Sequence, residues 1–242
     1  MMALVWWRLG DVLIRQRGRA AGLAGGLVGV AILAALAWPG AAPVESLGRL
    51  DLWRGWSTVT YLGAALAALW MGAASSAPVD PDAPLERVGW EDWHHWGGLS
   101  PAAVTGGLLV AAWMAGVSVL LLSLPPGLFA ARVSGAVPAE IAGALAAALA
   151  AAASGAAWGS TLLAALPETV RPAAGAVLLA IIWASGQAVS GSGPADRPWT
   201  PASSPAEATV VQLGLALIGT LTAHAAVRRR LRVARPGREG DV

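Results

Sequence analysis

The chain has 242 residues, 56% of them hydrophobic and 12% charged, with a net charge of +2, sixteen arginines, no lysine and no cysteine. A soluble domain carries about a quarter of its residues as charged ones. Here charge is missing from whole blocks of about twenty residues, the length a helix needs to cross a ~30 Å hydrocarbon core. Without cysteine there are no disulfides, thiolate metal sites or cysteine nucleophiles. Without lysine there is no GxxxxGK[ST] phosphate loop, so this sequence holds no P-loop ATPase.

Residues 1–19 combine Leu4, Val5, Trp6, Trp7, Leu9, Val12, Leu13 and Ile14 with Arg8, Asp11, Arg15, Arg17 and Arg19. That mixture is too short and too charged to span, and reads as an amphipathic helix lying in the membrane interface; a frayed lead is the plain alternative. The first apolar run follows these arginines without a clear small-x-small cleavage site, so no cleaved signal peptide is expected.

Six spans follow, at about 20–38, 55–74, 102–124, 141–163, 173–189 and 208–226. The first contains Gly22, Gly25, Gly26 and Gly29, two overlapping small-xxx-small spacings that permit close helix approach; simple Gly/Ala enrichment gives the same pattern. The third continues uncharged to Ala131, but Pro125-Pro126 remove two amide donors and predict a broken ladder with a kinked outer end. The fourth is so rich in alanine that it inserts weakly alone, which predicts a helix buried among neighbours. Leu166–Pro172 reads as a tight turn with Pro172 opening the fifth span. Ser190–Ala206 is a Ser/Gly/Pro-rich loop, and residues 227–242 form a basic tail.

With the amino terminus in the cytoplasm, inner segments hold twelve arginines and outer segments four. The positive-inside bias therefore predicts both ends inside. The fold class is all-α: a six-span membrane protein preceded by an interfacial helix. Membrane lipids are natural partners of the basic segments; nucleic acid is not.

Between spans two and three lies a polar island, Asp80–Pro101, with five carboxylates, a His pair and Trp90, Trp93 and Trp96. On a short helix, Leu85, Val88, Trp93, Trp96 and Leu99 gather on one side; Glu86, Arg87, Glu91, His94 and His95 take much of the other. Gly97-Gly98 end that helix, Ser100 is placed to cap the next and Pro101 to open it. The island reads as a docking surface, or equally as a stripe resting on the membrane. His94-His95 with Glu91 and Asp92 invite a metal, but adjacent histidines diverge on a helix and no third ligand stands at a fixed spacing. No span carries a clear acid or base of the kind ion-coupled carriers use, and no base neighbours Ser118, Ser123 or Ser154. No catalytic, cofactor or metal residues are assigned.

One resemblance rests on these residues. The order of a span, an acidic segment with Glu86, Arg87 and Gly89, then Leu99-Ser100-Pro101, then a long proline-bearing span, resembles the type-2 ABC exporter permeases. In that family the segment after span two is a cytoplasmic coupling helix. Trp90 stands where the family has threonine or serine, and the lysine common early in span three is missing. The resemblance implies a non-enzymatic transmembrane subunit of a bacterial-type inner membrane. It implies pairing with a second permease copy or paralogue and with soluble ATP-binding subunits that hold ATP and magnesium. It implies that Leu85, Glu86, Arg87, Gly89, Trp90, Glu91, Asp92, Trp93 and Trp96 dock the ATPase. The path between spans one, two and five would be lined by Gly22, Gly25, Gly26, Gly29, Trp56, Trp70 and Trp183, although a dimer interface would look the same. A non-transporting membrane scaffold is the competing expectation, and a membrane enzyme or ion-coupled carrier the third.

Overall fold

The computed structural model describes residues 1–10, 25, 51–74, 90, 91, 94, 97–188 and 205–233. The elements in this part are helices: α1 (Met2–Gly10), α2 (Asp51–Ala73), α3 (Pro101–Ser134), α4 (Pro138–Ala165), α5 (Arg171–Ala188) and α6 (Pro205–Val233). Three of them are long and apolar enough to cross a membrane, namely α3, α4 and residues Ala206–Val233 of α6. That is the make-up of a membrane-embedded protein. The expected first span falls outside the described residues apart from Gly25, as do the 190–204 loop and the chain beyond Val233.

The long helices alternate in direction. The start of α2 meets the end of α3, where the Trp53 amide donates to Ser134 Oγ at 3.2 Å. The end of α2 meets the start of α5 through Arg171. α2 and α4 run parallel, because Gly155 and Gly159 climb past Ala65 and Leu69 in the same order. α1 sits at the same end of the bundle as the last turns of α6, with Leu4, Val227 and Leu231 in one apolar cluster.

The centre of the bundle is α4, which packs against α2, α3, α5 and α6. Its buried positions run almost without a break through Ala147, Ala148, Ala150, Ala151, Ala152, Ser154, Gly155, Ala156 and Ala157. A helix apolar all round belongs inside a bundle, as its alanine content suggested. The closest seam is with α2. A Cβ on Gly72 would lie 2.9 Å from the Gly159 backbone, and one on Gly155 would run into the Ala65 carbonyl. Glycine is required there because the two backbones touch. Without a hydrophobic driving force in lipid, such contact carries helix association.

One expectation is corrected. α3 does not end at Pro125-Pro126; the ladder lapses there, but the helix continues to Ser134 and ends at Gly135, whose φ of 68° is left-handed. Each proline removes only its own amide, so the carbonyls of Leu121 and Leu122 lose their donors while the flanking turns stay intact. The described part of the expected amphipathic segment, α1, has two unlike faces. Leu4, Val5 and Arg8 are buried in the bundle while Met2 and Trp6 are exposed. Leu4 fits the notch left by Gly107 of α3.

Candidate functional site

A helix ends with four carbonyls that lack intrahelical donors and with the negative pole of its dipole. α2 and α4 bring their carboxyl ends to the same end of the bundle, so a set of carbonyls converges there. Arginines from three other helices meet them. From α1, Arg8 Nη2 donates to the carbonyls of Met71, at 3.4 Å, and Ala74. From α5, Arg171 donates Nε to Leu166 (2.9 Å), Nη2 to Leu163 (3.2 Å) and Nη1 to Ala73 (3.4 Å). From α6, Arg230 Nη1 donates to the same Leu163 carbonyl at 3.0 Å. A guanidinium suits this work because its five donors fan out in one plane and reach several acceptors at once. Arg8 is only 1% exposed, so its charge is held by backbone dipoles rather than by water.

Arg230 also reaches the polar island. Its Nε stands 3.0 Å from Glu91 Oε1, and its Cζ lies 5.4 Å from the centre of the Trp90 ring. Trp90 itself is turned inward and buried, packed with Leu4, Val104, Leu108, Leu163 and Leu231. One arginine thus joins the island to the last turn of α4 by an ion pair, a hydrogen bond and a cation–π contact. The exit from the island is fixed as well. Gly98 has a φ of 60°, and Ser100 Oγ accepts from the Ala103 amide at 3.2 Å, with Pro101 opening α3. His94 Nδ1 is within hydrogen-bonding distance of the Leu99 carbonyl, so that nitrogen carries the proton.

The sequence-predicted docking residues divide accordingly. Trp90 and Glu91 are brought together with Arg230, a partner about 140 residues away that no local pattern pairs with them. Leu85, Glu86, Arg87, Gly89, Asp92, Trp93 and Trp96 lie outside the described residues. So do Gly22, Gly26 and Gly29, while Gly25 is helical and exposed. Trp56 stacks on Trp53, with ring centres 4.9 Å apart, and presses on Gly127. Trp70 packs against the α2–α3–α4 core, and Trp183 is half-buried on α5.

A second polar cluster, deep in the bundle, was missed because none of its members is ionised. Gln212 of α6 is fully buried; its Nε2 donates to the Ile182 carbonyl and to Ser185 Oγ, both at 3.0 Å. Tyr61 donates to the same Ile182 carbonyl at 3.1 Å, and Ser154 donates to the Gln212 carbonyl at 2.6 Å. α2, α4, α5 and α6 are thereby tied together around two carbonyls, those of Ile182 and Gln212. A lone glutamine in an apolar run is a readable signal for such an interhelical bond.

Compared with family models, with curated proteins and with solved structures, this chain matches none. Chemistry and geometry alone carry the functional reading.

Proposed function

We propose that this chain is the transmembrane permease subunit of an ATP-driven exporter, coupling nucleotide hydrolysis by a separate ATP-binding subunit to movement of cargo across a bacterial-type inner membrane. The observation that carries this reading is the Glu91–Arg230–Leu163 connection. A docking segment can drive a bundle only if it is joined to helices that matter for packing, and this one is joined to central α4 and to α6. Displacing Glu91 and Trp90 would loosen the last turn of α4 from α6, a two-state element that nucleotide binding in a partner can bias. The arginine-rich end would then be cytoplasmic, as arginine counting predicts. The absence of lysine from the chain fits a motor in another subunit.

The test is co-purification of the detergent-solubilised protein with candidate ATP-binding subunits, followed by an ATPase assay. Wild type is compared with Glu86→Arg and Trp93→Ala. A stable complex that either substitution dissociates or uncouples is the expected result. If no ATPase co-purifies and both variants behave as wild type, the permease reading fails and a membrane scaffold takes its place.

A further inference from the structure

The arginines near the end of α6 fall into two kinds. Arg230, though partly exposed, is paired with Glu91 and with the Leu163 carbonyl. Arg228, Arg229 and Arg232 are exposed, and their side chains make no hydrogen bond or ion pair with the described residues. With His224, Ala225 and Val233 they line a shallow, open surface depression. Three cations with no anionic partner among the described residues attract an anion, since each repels the others until a negative group arrives.

The same face says what kind of anion. At 100° per residue, Leu213, Leu217, Leu221, Ala225, Arg228 and Arg232 occupy about one third of the helix circumference. Leu213, Leu217 and Leu221 are 53%, 62% and 63% exposed, an apolar stripe that no described helix covers. The stripe leads straight into the arginines. Eleven residues at 1.5 Å rise separate Leu217 from Arg228 by ~16 Å, close to the ~15 Å half-thickness of a hydrocarbon core. An acyl chain laid along Leu221 and Leu217 therefore ends with its phosphate among Arg228, Arg229 and Arg232, while Leu213 lies past the midplane.

We propose that α6 carries a binding site for one anionic phospholipid, its phosphate held by Arg228, Arg229 and Arg232 and its chain lying on the leucine stripe. A soluble phosphate would use the arginines and ignore the leucines. A second copy of this chain would leave the three cations facing its own like-charged end, the less favourable arrangement.

The experiment is native mass spectrometry of the full-length protein released from detergent, titrated with phosphatidylglycerol or with phosphatidylcholine of the same chains. Wild type is expected to retain one phosphatidylglycerol at concentrations where phosphatidylcholine is lost. Arg228→Gln/Arg232→Gln should weaken phosphatidylglycerol retention about tenfold or more and leave phosphatidylcholine unchanged. Leu217→Asn should weaken both lipids, and Arg132→Gln, a single charge loss at the opposite end, should weaken neither. All these positions are exposed, so folding is retained and is checked by circular dichroism. Equal retention of the two lipids overturns the proposal, as does wild-type phosphatidylglycerol binding by the double variant. Displacement by equimolar inorganic phosphate would show a phosphate site without a chain groove. A lipid-free dimer abolished by Arg228→Gln/Arg232→Gln would assign the face to a second copy instead.

Discussion

The two ends of the bundle close by different chemistry. At one end Arg8, Arg171 and Arg230 donate into the carbonyls that finish α2 and α4. At the other, Trp53 and Trp56 stack beside Gly127, and a single serine hydroxyl meets the first turn of α2. Arginine binds several acceptors from one position and holds them rigidly, but leaves them stranded if removed. Indole fills space, and its loss costs packing without exposing a buried charge or dipole. The first end therefore fails abruptly and the second by degrees.

Arg8→Met should have the largest effect. It strips the donor from the buried carbonyls of Met71 and Ala74, and hydrogen bonds to charged groups contribute about 1.5–3 kcal/mol each. Thermal denaturation in detergent is expected to show a loss of about 2–4 kcal/mol, and Arg8→Lys should restore only part because one ammonium cannot reproduce the planar fork. A wild-type midpoint for Arg8→Met would mean that apolar packing of Leu4 and Val5 alone seats α1. Trp56→Ala comes next, with a loss of about 1–2 kcal/mol from stacking and contact with Gly127. If it exceeds the loss from Arg8→Met, the contrast between the ends is wrong. Glu91→Gln should be smallest, below about 1 kcal/mol, because the ion pair is partly exposed, at 23% for Glu91 and 42% for Arg230. Its effect should be local: faster amide exchange at Gly97–Ser100 with an unchanged melting midpoint. Unchanged exchange would assign the anchoring of the island to Trp90 alone.

The long helices were legible because uncharged runs of membrane length leave few alternatives. The buried position of α4 was legible from its alanine, and the start of α3 from Ser100-Pro101, where cap chemistry is local. Arg8 was not. A charge in an amphipathic segment reads as solvated, and its acceptors lie 63 and 66 residues away. Pro125-Pro126 misled because each proline removes only its own amide, and the turns on either side keep the helix going to Ser134. The Gly155–Gly159 spacing is readable, but the first span carries the same spacing, and spacing alone does not say which pair forms a seam. Within the island, the inward turn of Trp90 depends on a pocket formed by α1, α3, α4 and α6 together. No local pattern encodes a pocket built from four distant segments.

The socket for α1 also orders events in time. Leu4 and Arg8 are synthesised before the surfaces that receive them, which belong to α2, α3 and α6. During synthesis α1 must wait, with its arginine hydrated, until α6 arrives to complete its seat. Closure of that seat is therefore a late checkpoint of biogenesis, and chains truncated before α6 should display an amino-terminal segment open to proteases that the finished protein conceals.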